Sequence, residues 1–106
     1  MFKIYKNRKT NHPSISLKSG DKYFWHNLEL THHPVKKHSF IEIDDPSPNS
    51  FGVAYARRYI RKDKHKCKGF RYKKYKVSLK SKYKIKFLIK EYKKRWCQTY
   101  GHCLAW

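Results

Sequence analysis

Acidic side chains are scarce in this chain: seven Asp and Glu stand against 27 Lys and Arg in 106 residues, a formal charge of +20 with the seven histidines neutral. Long apolar runs are missing as well. No stretch approaches the ~18 residues of a membrane span. Residues 1–19 alternate Lys, Asn, Arg and Ser with isolated apolar side chains, unlike the continuous hydrophobic region of a signal peptide. A cytoplasmic chain without a membrane span is expected. The four glycines make no phosphate-cradling loop, dinucleotide-binding pattern or KH-type Gly-X-X-Gly, and neither Gly-X-Ser-X-Gly nor His-Glu-X-X-His occurs. As far as motifs reach, this excludes the common nucleotide-binding, serine-hydrolase and zincin classes. Cysteine is limited to Cys67, Cys97 and Cys103. An odd count in a cytoplasmic chain implies reduced thiols rather than a disulfide scaffold.

What remains is basic and aromatic. A mean hydropathy of -1.00 with such a charge raises the possibility of a disordered polycation. Against that, aromatic residues make up 17% of the chain, and its 22 Ile, Leu, Val and Phe lie just above the one-fifth fraction below which disorder is the default. The expectation is one folded, thin-cored domain over residues 1–106, stabilised by salt or by a polyanion that offsets the self-repulsion. The charge is lopsided: residues 1–53 carry a net +3 and residues 54–106 a net +17.

Turn chemistry at Asn11-His12-Pro13-Ser14, Ser19-Gly20-Asp21, His33-Pro34 and residues 44–50 punctuates the first half. Residues 1–20 read as an irregular or partly ordered segment. Between the breaks, Lys22–Asn27 and His38–Ile43 are short, aromatic or β-branched strand candidates, and Phe51–Arg61 reads as a strand on its odd positions. From Lys74 to Phe87 the apolar residues occupy odd positions and lysines nearly all the even ones, a period of two. Yet Ile85, Leu88, Ile89, Tyr92 and Trp96 also line one helical stripe, with Ser78 or Ser81 as its N-cap. Sharing the segment predicts a strand over residues 70–77 and a helix over residues 79–95, with Lys93, Lys94 and Arg95 at the negative end of its dipole. Residues 97–106 read as a tail. The predicted class is α+β: a small antiparallel sheet of three or four short strands with a C-terminal amphipathic helix, a barrel-like sheet being the alternative.

The strongest constellation for function is the basic and aromatic run of Arg57, Arg58, Tyr59, Arg61, Lys62, Lys64, Lys66, Lys68, Phe70, Arg71, Tyr72, Lys73, Lys74, Tyr75 and Lys76. Cations displace counterions from a phosphate backbone, while interleaved aromatics stack on unpaired bases. The bland alternative is a solvated lysine face. RNA is favoured over DNA, because nothing resembles a helix-turn-helix, zinc finger or heptad that would enter a major groove. Histidines supply the candidates for chemistry. His33 and His38 lie near Lys36 and Lys37, a setting suited to general acid–base work in metal-independent RNA cleavage, although a His-Pro loop is more commonly a solvated turn. Glu42, Asp44 and Asp45 form the one acidic cluster, read as a turn in preference to a Mg²⁺ site. The spacing of Cys97 and Cys103, with His102, Cys67 and His65, is not that of a zinc knuckle. No metal and no cofactor is expected.

The reading that follows is a small RNA-binding protein of the cytoplasm. The alternative is a toxin-type endoribonuclease using the same surface and restrained by an acidic antitoxin. A third reading, a cationic membrane-active protein, suits Lys with Trp and Tyr but lacks a one-sided apolar face. The stretch from His33 to Ser78 is of a kind common in small proteins of mobile genetic elements in low-GC bacteria, and no family name attaches to it.

Overall fold

The computed structural model describes residues 2–18, 23–47, 52–64 and 69–102. Its elements are strands β1 (Lys3–Asn7), β2 (Pro13–Ser16) and β3 (Trp25–Thr31), a 3-10 turn (Lys37–Ser39), β4 (Phe40–Asp44), β5 (Val53–Arg57), β6 (Arg61–Asp63) and β7 (Phe70–Lys73), and a long helix α1 (Leu79–Tyr100). The α+β class holds, but the sheet has seven antiparallel strands rather than three or four, in the order β4-β5-β3-β2-β1-β7 with β6 also on β3, and it does not close into a barrel.

Two of the uncounted strands, β1 and β2, lie in the amino-terminal segment that reads as irregular or partly ordered. Each is too short to display periodicity alone. Their alternation shows in the pairing, where Ile4, Ile15 and Leu28 lie in cross-strand register and all are fully buried. Asn7 builds the turn between them, its side chain accepting from the Lys9 and Thr10 backbone N–H groups, while Asn11 takes the left-handed conformation at φ 63°. The strand expected over Phe51–Arg61 breaks at Arg58 into β5 and β6, which pair with successive parts of β3; Phe51 lies outside the described residues.

The core joins Ile4, Ile15, Leu28, Leu30, Ile43, Ala54 and Ala56 of the sheet to Ile85 and Leu88 of α1. The helical stripe read from the sequence is the buried one, and the competing period of two fails: Leu79, Tyr83 and Phe87 are left 60–67% exposed. Burying Ile85 and Leu88 contributes about 1.5–3 kcal/mol each. Ser78 is the N-cap, its hydroxyl accepting from the Ser81 N–H at 3.1 Å, and Gly101 closes the helix in the left-handed region at φ 74°. The helix thus outruns its expected end at Arg95. Lys93, Lys94 and Arg95 fall short of its last turn, and residues 97–100, expected in a tail, are helical.

α1 also protects a sheet edge. Arg58 and Asp45 donate their backbone N–H groups to Ser39 and Gly52, so the odd-numbered residues of β4 bond to β5 and the even-numbered ones face outward. Two of those outward groups are met by the helix: Asp44 N–H donates to Ser81 Oγ at 3.0 Å, and Lys84 Nζ donates to the Glu42 carbonyl at 2.7 Å. No described helix is long and apolar enough to cross a membrane.

Candidate nucleic-acid interface

The sheet face opposite α1 is concave. Trp25 of β3 and Phe70 of β7 are three strands apart and offset along the strands by the register, about 25 Å if the sheet were flat, yet their rings meet edge-to-face at 4.7 Å. Coiling of the twisted sheet brings its corners together and buries both rings. Beside them lies a polar cluster. Arg61 donates to Glu29 Oε2 at 2.7 Å and to Asp63 Oδ2 at 2.9 Å, and its guanidinium sits 5.6 Å from the Phe70 centroid. Asp63 Oδ2 also accepts from the fully buried Asn27 at 2.8 Å.

Two residues of the predicted run are therefore structural. Arg61 is bound to two carboxylates, and Phe70 is only 8% exposed with no face open for a base. Lys62 packs its ammonium over Trp96 at 5.0 Å and Phe24 at 5.7 Å. Lys64 is exposed, and Lys66 and Lys68 lie outside the described residues.

The fold splits the remainder of the run between opposite ends of the sheet. Arg57, Arg58 and Tyr59 are exposed where β5 ends; Arg95 stands 5.8 Å from the Tyr59 ring centre, and Arg58 borders a groove with Tyr83, Lys84 and Phe87. Arg71, Tyr72 and Lys73 instead form β7, the opposite end strand, followed by Lys74, Tyr75 and Lys76. Tyr75 packs against the core, so its ring is less available than its neighbours'.

At the β7 end the pieces of an interface converge. Tyr5 and Tyr72 are cross-strand partners with ring centroids 5.5 Å apart, and Tyr72 is 49% exposed. Tyr5 is braced from behind by Trp25, edge-on at 5.5 Å. The exposed Lys3 shares the face of Tyr5, whereas Lys6 and Arg71 pair across the two strands on the other face. Arg8 donates its N–H to the Gly69 carbonyl. Continuing that alternation, Arg71 and Lys73 bond to β1, and Tyr72 turns its own N–H and C=O away from it. Aromatic faces, cations and outward backbone groups thus occupy one end of the sheet. Sequence reading missed Lys3, Tyr5 and Lys6, because only the β1–β7 pairing reveals their proximity to Tyr72.

The acids are largely engaged within the protein. Glu29 and Asp63 hold Arg61, Asp45 holds His32 at 2.5 Å, and Asp44 accepts from the Ser78 hydroxyl at 2.6 Å. Among the described residues no group of three or more His, Cys, Asp or Glu could hold a metal ion. His33 lines a cavity of about 280 Å³ with Lys6, His12, His32, Asp45 and Tyr75; His38 sits in the 3-10 turn, outside that lining. The structure does not assemble His33 and His38 around this cavity. Cys97 is disulfide-bonded, which corrects the expectation of reduced thiols; Cys67, Cys103 and His65 lie outside the described residues. Compared with protein-family models, with curated proteins and with solved structures, the chain matches none.

Proposed function

We propose that this protein binds RNA through the β1–β7 end of its sheet, with phosphates lying along Lys3, Lys6, Arg71, Lys73 and Lys74 and an unpaired base stacking on Tyr72. The observation that carries the reading is the half-exposed Tyr5–Tyr72 pair at the end strand, with Lys3 on its own face and Lys6, Arg71 and Lys73 on the reverse, so that a bound strand would pass round the β7 edge. With Glu29, Asp44, Asp45 and Asp63 held in internal contacts, the positive potential of this end is left for a polyanion. Single-stranded RNA fits better than a duplex, since a duplex hides the base faces that an aromatic platform reads.

The test is Tyr72→Ala. Loss of one stacked base weakens binding of a single-stranded RNA by about 1–3 kcal/mol, roughly 5- to 150-fold, while affinity for a duplex of the same length changes little. Equal losses on both would refute the stacking. Removing the half-exposed ring should leave thermal stability close to that of the unaltered protein, which separates this effect from misfolding.

A further inference from the structure

The cavity beside the proposed interface contains a histidine–carboxylate pair. His32 Nε2 meets Asp45 Oδ2 at 2.5 Å; the Asp45 side chain is 3% exposed and that of His32 52% exposed. The other Asp45 oxygen, Oδ1, accepts from the Ser47 backbone N–H at 2.9 Å, fixing the carboxylate in place. A buried carboxylate facing Nε2 keeps the proton on that nitrogen and leaves the lone pair on Nδ1. Lys6 and His33 line the same cavity. Lys6 is also the cross-strand partner of Arg71, and Tyr75, just beyond β7, lines the cavity too. Lys6 and Arg71 lie on the reverse of the sheet from Tyr72, so a strand of RNA that passes round the β7 edge from a base on Tyr72 to a phosphate between Lys6 and Arg71 would present its backbone to this cavity.

We infer that this cavity is a metal-independent site for RNA phosphodiester transesterification, an inference that rests on the RNA-binding reading above. His32 Nδ1 takes the proton from a ribose 2′-hydroxyl. The freed O2′ attacks phosphorus, forming the O2′–P bond as the P–O5′ bond breaks, and the departing O5′ receives a proton from the His33 imidazolium. The products are a 2′,3′-cyclic phosphate and a 5′-hydroxyl, with no oxidant, reductant or co-reactant required. Lys6 stands against the non-bridging oxygens, where negative charge builds in the transition state. Asp45 is a positioning residue that holds the His32 tautomer. The sequence points to His33 and His38; the geometry places His33 and His32 in this cavity and leaves His38 outside it, and Asp45, part of a turn by sequence, is the partner of His32.

The experiment uses the full chain, a single-stranded RNA and its 2′-deoxy analogue, which binds but cannot react. The unaltered protein should bind both and cleave only the RNA, in the presence of EDTA, giving a 2′,3′-cyclic phosphate end. His32→Ala should still bind the analogue and cleave about 10²–10⁴-fold more slowly; His32→Gln, which can still donate to the buried Asp45 carboxylate, should show the same loss of cleavage and separates it from a folding defect. The His33→Ala defect should be relieved when the scissile 5′ oxygen is replaced by sulfur, which leaves without a proton; the His32→Ala defect should persist. Binding of the analogue with the RNA left intact overturns the site and spares the binding reading. Equal cleavage by the unaltered protein and His32→Ala also overturns it, and failure to bind either strand overturns both.

Discussion

Replacing Arg61 by Ala separates a structural cation from a binding one. Arg61 carries two charge-assisted hydrogen bonds, to Glu29 and Asp63, and packs against Phe70. Its loss strands two carboxylates whose side chains are only 24% and 31% exposed. An exposed pair would contribute at most ~1 kcal/mol, and cutting a fully buried one costs about 3–5 kcal/mol. This half-buried cluster falls between, at about 2–3 kcal/mol. In a domain of this size that lowers the melting temperature by roughly 10–20 °C, readable by circular dichroism. Arg71→Ala supplies the contrast. Arg71 is exposed on the end strand, so its removal should shift stability by less than about 0.5 kcal/mol while lowering the salt slope of RNA binding by about 0.7. If Arg61→Ala melts like the unaltered protein and loses RNA affinity as Arg71→Ala does, the assignment of Arg61 to the scaffold is wrong.

Other expectations follow from particular contacts. Ile85→Ala empties a fully buried position between α1 and the sheet and should cost about 2–5 kcal/mol in urea unfolding; a loss below 1 kcal/mol would mean that the helix does not seal the core. Ser78→Ala removes the helix cap and should cost about 1 kcal/mol, whereas Ser81→Ala keeps the capping N–H and removes the hydroxyl that accepts from the Asp44 N–H. Burial, and secondarily the neighbouring Tyr100, hold the Tyr92 pKa above its ordinary 10.0. The folded state then keeps that proton more tightly than the unfolded chain. The stabilisation is fully present below pH 10 and is lost as pH rises through the higher folded value. Tyr92→Phe should flatten the alkaline fall in melting temperature, and an unchanged slope would count against this origin.

Legibility in the sequence followed the range of the interactions. α1 was readable because Ile85, Leu88, Ile89, Tyr92 and Trp96 repeat at helical spacing and Ser78 sits where a cap belongs, all local signals. β1 and β2 were not, since four- and five-residue strands disclose their faces only once Ile4, Ile15 and Leu28 are set side by side. The extent of positive charge was plain, yet its division was not. Nothing between Arg57 and Lys76 announces that β5 and β7 end on opposite sides of the sheet, or that Glu29, 32 residues earlier, claims Arg61. His32 was likewise obscured, because Asp45 reaches it only through the packing that follows β4. Composition announces a partner class, whereas the identity of the contacting side chains depends on pairings that local spacing does not encode.

The most direct measurement is the dependence of RNA affinity on salt for two triply neutralised variants. One carries Gln at Arg71, Lys73 and Lys74 beside the β7 end, and the other carries Gln at Lys80, Lys86 and Lys90 along α1. Each loses three positive charges. If the β1–β7 end is the interface, the first variant lowers the slope of log affinity against log salt by about 2, at about 0.7 for each lost phosphate contact on a single strand, and the second leaves it nearly unchanged. Equal falls in the two variants, or a fall confined to α1, would contradict the account.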